Sequence, residues 1–77
     1  MNHPIPLALL ASGKTATVVD IRAGQGLIRR LAGMGLTVGV SLRVVNNPMR
    51  GPIVAEVRGA KLALGYGIAQ KIMVKEE

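Results

Sequence analysis

The sequence has no cysteine, no phenylalanine and no tryptophan, and Tyr66 is its only aromatic residue. Without cysteine there is no disulfide framework, no thiolate metal site and no cysteine nucleophile. Without a set of aromatic rings there is no platform on which a sequence-tolerant single-strand binder stacks bases, an interaction of about 1–3 kcal/mol per base. The same absence argues against recognition of proline-rich peptides, which dock on aromatic-lined grooves. Histidine occurs once, at His3, whereas a metal site needs several convergent ligands. Acidic groups are also sparse. Asp20, Glu56, Glu76 and Glu77 are scattered, and no spacing suggests an acid/base pair except the adjacent Glu76 and Glu77, which read as mobile. Ser12 and Ser41 have no histidine placed to activate them. These absences point to a protein that is not an enzyme. The apolar run from Ile5 to Ala11 is interrupted by Pro6, is too short to span a bilayer and lacks a preceding basic segment. A cytoplasmic location is the expectation.

The chain has 77 residues and a mass of 8.1 kDa, which suits a single domain over residues 1–77. The ordered core is expected over about residues 7–75. Hydrophobic residues make up 49% and charged residues 18%, a globular rather than disordered composition. Size scaling predicts a folded surface of roughly 4,500 Å², with about 60% of the open chain's surface buried. Ten lysines and arginines face four acids, giving a formal charge of +6 and an isoelectric point near 11.0. Such a balance suits nucleic acid, an anionic membrane surface or an acidic partner.

Local patterns predict mostly strands. Met1 to Pro6 holds Pro4 and Pro6 and reads as an extended tail. Leu7, Leu9 and Leu10 follow as one helical turn that lays leucines on the core. Thr15, Thr17, Val18, Val19 and Ile21 mark a first strand over residues 14–22. A bulge near Asp20 would bring Val18 and Ile21 to one face. The period then changes. Leu27, Leu31 and Met34 align on a helix of about residues 25–34, flanked by Ile28 and Ala32, with Arg29 facing away and Arg30 at the margin. Gly35 can end that helix in the left-handed conformation. Val40, Leu42 and Val44 alternate with polar positions, as do Ile53, Ala55 and Val57. Arg58-Gly59 reads as a tight hairpin turn leading to Ala60, Leu62 and Leu64, also inward. Gly65 to Gln70 reads as a single 3₁₀ turn, Ile72 and Val74 face inward on a last strand, and Lys75 to Glu77 should fray. Five short strands in so small a chain close best on themselves. The expected fold is mainly β: a small five-stranded barrel with one inserted helix.

Ser12-Gly13-Lys14-Thr15 looks like the tail of a phosphate-binding loop, but position 8 is Ala8 rather than glycine and a strand follows instead of a helix. It reads as a turn entering a strand. His3 reads as a solvated tail residue, so no cofactor and no native metal is expected, with weak pick-up of a divalent transition metal left open. Arg22, Arg29 and Arg30 gather around the helix, and Arg43, Arg50 and Arg58 lie on strands and loops. Phosphate contacts alone would give weak, salt-sensitive binding, so no specific nucleic acid is expected. Specificity should sit on loops and exposed edges. The candidate partner-binding residues are Arg29, Arg30, Met49 and Arg50, Met49 because methionine adapts to contact surfaces.

The chain resembles the FeoA family of ferrous iron transport proteins and the related FeoA-like domain. The likeness is carried by Leu7-x-x-Leu10-x-x-Gly13 and by Ala16-Thr17-Val18-Val19-Asp20-Ile21. The most specific stretch is Arg30-Leu31-Ala32-Gly33-Met34-Gly35-Leu36-Thr37-Val38-Gly39. Val57-Arg58-Gly59-Ala60-Lys61-Leu62-Ala63-Leu64-Gly65, Ala69 and Ile72-Met73-Val74 complete it. The resemblance implies an SH3-like β-barrel working beside FeoB, the membrane ferrous-iron transporter with a GTP-binding domain. Similar domains end iron-dependent repressors. No catalytic residue carries over. The implied role is a non-catalytic interaction module on the cytoplasmic side, with attachment to the inner membrane and a homo-oligomer left open. The other readings are a basic nucleic-acid-binding barrel and a transition-metal-binding regulatory domain.

Overall fold

The computed structural model describes residues 3–77; Met1 and Asn2, the start of the expected tail, lie outside the described residues. The elements are β1 (Ile5–Pro6), a 3₁₀ turn (Leu7–Leu9), β2 (Thr15–Ile21), α1 (Gln25–Gly33), β3 (Ser41–Asn46), β4 (Ile53–Val57), β5 (Ala60–Leu64), α2 (Tyr66–Ala69) and β6 (Ile72–Glu76). The strands form one antiparallel sheet in the order β1-β6-β2-β3-β4-β5. The folded surface is 4442 Å², close to the size-scaling expectation.

The architecture is mainly β with one inserted helix of three turns or less, as the alternation and the change of period imply. Two features differ from the expected five-stranded closed barrel. The sheet has six strands, because Ile5 and Pro6 pair with Val74 and Met73 rather than trailing as a tail. The sheet is also open, with β1 and β5 at its edges. β1 is only two residues long and Pro6 has no N–H, so it offers little with which to close a ladder.

The bulge in β2 is present. Its register on β6 shifts between Val18 and Asp20, which leaves Val18 and Ile21 buried and Asp20 exposed. A second shift, between Val44 and Asn46, bends β3 against β4. The inward sets Val40, Leu42, Val44 and Ile53, Ala55, Val57 are all buried. β5 departs from the expectation. Leu64 is buried, but Leu62 is only half-buried and Ala60 is exposed, because an edge strand has a neighbour on one side only.

The exit from α1 follows from Gly35, whose φ is +88°. The Gly35 N–H donates to the Ala32 carbonyl at 2.9 Å and the Leu36 N–H to the Leu31 carbonyl at 2.9 Å. This is the glycine-terminated helix end in which the residues flanking the reversal pack on each other. Leu31 and Leu36 are both fully buried. Met34 is therefore not part of the apolar stripe. It caps the helix and is 41% exposed, because the chain reverses and Leu36 takes the inward place.

Leu9 is the other misplaced apolar residue. The 3₁₀ turn buries Leu7 and Leu10 and turns Leu9 out to 57% exposure. Residues 65–70 hold a short α-helix, not a 3₁₀ turn, with Ala69 buried. The last residues do not fray. β6 runs to Glu76, and the Glu77 N–H donates to the Thr15 carbonyl at 2.8 Å.

Candidate interaction surface

The interior of the described residues is aliphatic apart from Met73, and no polar or charged residue is buried there. Among the described residues no group of three His, Cys, Asp or Glu side chains converges. No described helix is long and apolar enough to cross a membrane.

The outside is basic and only partly neutralised. Ion pairs join Lys14 to Glu76 at 3.3 Å, Arg22 to Asp20 at 3.5 Å and Arg43 to Glu56 at 3.1 Å. All are surface pairs, worth about 0–1 kcal/mol each. Among the described residues no ion pair involves Arg29, Arg30, Arg50, Arg58 or Lys61.

The fourth acid is used differently. The Glu77 carboxylate accepts from the Ser41 hydroxyl at 2.7 Å and the Thr17 hydroxyl at 2.9 Å. The Ser41 bond, then the Thr17 bond, favours the ionised form and holds this carboxyl below its ordinary value. A lowered folded value means the clasp is in place at neutral pH and is lost as pH falls through that value. In an NMR titration the Glu77 carboxyl should therefore titrate below the ordinary glutamate range. The double variant Thr17→Val/Ser41→Ala should return it to that range; an unchanged midpoint would dissolve the clasp.

The four candidate contact residues fall into two pairs. Arg29 and Arg30 are exposed on α1, and Arg30 lies in its last turn, where a cation meets the negative helix end favourably. Met49 and Arg50 are exposed in the loop of residues 47–52. Along the chain the pairs lie on either side of β3, Arg29 and Arg30 before it and Met49 and Arg50 after it.

The loop is held by Asn47, which sequence reading treats only as a turn residue. Its side-chain N–H groups donate to the carbonyls of Ala8 at 2.9 Å and Leu10 at 2.8 Å. Its side-chain oxygen accepts from the Met49 N–H at 2.8 Å, and its own N–H donates to the Ser12 hydroxyl at 2.9 Å. Met49 in this turn has φ +75° and is 52% exposed. A methionine in the left-handed region is strained. Ser12 and Gly13 form a turn, with Gly13 at φ +88° and its N–H on the Val44 carbonyl at 2.7 Å, and β2 follows. This is the turn entering a strand that the residues suggest.

The FeoA domain family matches residues 5–76. The chain belongs to the FeoA family. A curated relative, the putative Fe(2+) transport protein A of Methanocaldococcus jannaschii, is 39% identical over 71 residues, spanning 92% of this chain and 85% of the relative. A crystal structure described as iron uptake regulatory protein (FeoA) superposes with a TM-score of 0.88 at 33% identity, covering 97% of this chain and 99% of that one. A manganese-dependent transcriptional repressor superposes with a TM-score of 0.89 at 28% identity. There the whole of this chain matches 44% of the repressor. The fold is thus the SH3-like FeoA fold, and this FeoA domain keeps it with the sheet open between β1 and β5.

Proposed function

We propose that this FeoA domain is a non-catalytic cytoplasmic accessory of ferrous iron uptake, acting by docking on the cytoplasmic part of the membrane transporter FeoB. The observation that carries the reading is the family match over residues 5–76, joined to an interior that holds no polar or charged group among the described residues. Such a molecule acts through its surface. The unpaired cations speed encounter with an acidic partner. Near an anionic leaflet each Lys or Arg that reaches the surface adds up to about 1 kcal/mol, which supports a peripheral position beside the transporter.

The test is binding of the full chain to the cytoplasmic GTP-binding domain of FeoB. Association is expected on the order of tens of micromolar or tighter, weakening as salt rises. Arg29→Glu/Arg30→Glu should weaken it by about tenfold or more. Met49→Gly relieves the left-handed strain, so the melting temperature should hold or rise while binding weakens. No association, together with normal iron uptake in a deletion strain, overturns the reading.

A further inference from the structure

The outer edge of β5 is open and chemically particular. The two-residue turn of Arg58 and Gly59 has φ of +52° and +83°, the mirror-image turn that suits strand twist. It makes Val57 and Ala60 a hydrogen-bonded pair. In an antiparallel ladder such pairs alternate, so Ala55 with Leu62 and Ile53 with Leu64 are bonded as well. Lys61 and Ala63 therefore turn their N–H and C=O groups away from β4. Among the described residues no backbone hydrogen bond reaches either of them from another element, and both residues are exposed.

Of the devices that blunt edges, this edge carries a lysine, Lys61, but neither a bulge nor a proline. The β4–β5 ladder runs over five pairs without a register shift, and β5 contains no proline. The other edge, β1, is short and contains Pro6.

Charge decides what the edge suits. Arg43 on β3 pairs in register with Glu56 on β4, and Glu56 with Lys61 on β5, so signs alternate across the sheet. The first two are joined at 3.1 Å. Opposite charges on facing cross-strand positions stabilise and like charges destabilise. The next position in the row, beyond β5, calls for an acid. A second copy of this chain suits the edge poorly, because it would set one chain of formal charge +6 against another.

We infer that an extended, acidic segment of a partner protein adds to β5 as a further strand, with a glutamate or aspartate opposite Lys61. Main-chain bonds to Lys61 and Ala63 would supply affinity, and Lys61 with the exposed Arg58 would supply the choice of sign. The inference deepens the adaptor reading and rests on it for the existence of a protein partner.

The probe is a blocked peptide of about seven residues, long enough to span β5, that alternates glutamate with threonine and valine. Its control carries lysine in place of glutamate. In NMR titrations to about millimolar peptide, the acidic probe should shift the Lys61 and Ala63 amides and slow their hydrogen exchange. The lysine control should do neither. Ala63→Pro removes one outward N–H without touching a bond to β4, and should weaken the probe by about tenfold with the fold kept. Lys61→Glu should do the same by charge and serves if the proline variant does not fold. Unchanged Lys61 and Ala63 amides, or shifts confined to Arg29 and Arg30, overturn the inference. A dimer in sedimentation that Ala63→Pro dissolves overturns it in favour of self-pairing. If FeoB binds Ala63→Pro and Lys61→Glu as well as the parent chain, the edge proposal fails and the adaptor reading stands.

Discussion

Leu31→Ala is expected to destabilise the fold by about 2–5 kcal/mol, the range for truncating a fully buried leucine. Leu31 is the one fully buried side chain of α1 and packs where the chain reverses onto Leu36. A domain of this length has a total stability of about 4–12 kcal/mol, so the loss is a large share of it. The melting temperature should fall by about 10–30 °C, read by circular dichroism. Leu31→Met, which nearly keeps the volume, should cost less than about 1.5 kcal/mol. The loss reaches the candidate surface, because Arg29 and Arg30 are held in place only by the helix that Leu31 anchors. A melt unchanged in Leu31→Ala would mean that the helix is seated by Leu27 and Ile28 instead.

Asn47→Ala should cost about 2–4 kcal/mol. The change removes three side-chain hydrogen bonds, worth about 0.5–1.5 kcal/mol each, and leaves two partly buried carbonyls without a donor. Asn47→Asp separates the contributions. It keeps an acceptor for the Met49 N–H but sets a carboxylate against the carbonyls of Ala8 and Leu10, so it should be at least as damaging as alanine. Denaturant midpoints of the two variants give the comparison. Full stability in Asn47→Asp would show that the bonds to Ala8 and Leu10 contribute nothing. A loosened loop also frees Met49 from its left-handed turn, so the proposed docking on FeoB should weaken beyond the loss of folded protein.

Much of the fold is legible in local pattern. Alternation in residues 40–45 and 53–57 places the buried faces of β3 and β4 correctly, because a strand's side chains take opposite sides whatever it pairs with. Gly35 ends α1, and Arg58 with Gly59 turns the hairpin, because each conformation is set by its own backbone. The outward aspect of Arg29 follows from helical period alone, whereas Arg30, at the margin by period, is placed outside by the fold. Of the candidate contacts, Met49 is the one whose special feature is invisible in pattern, since its left-handed φ sits in a turn closed by the Asn47 side chain.

Residue order therefore dictated the faces of β3 and β4 and the reversals at Gly35 and Arg58-Gly59, because these depend on neighbours a few positions away. Three-dimensional packing decided the sixth strand, the open edge at β5, the Asn47 brace and the Glu77 clasp. Those depend on which distant segments meet: Asn47 reaches residues 37 and 39 positions away, and Glu77 reaches Thr17 across 60. Periodicity gives a side chain its face, but a hydrogen bond also needs its partner's position, and only the folded chain supplies that.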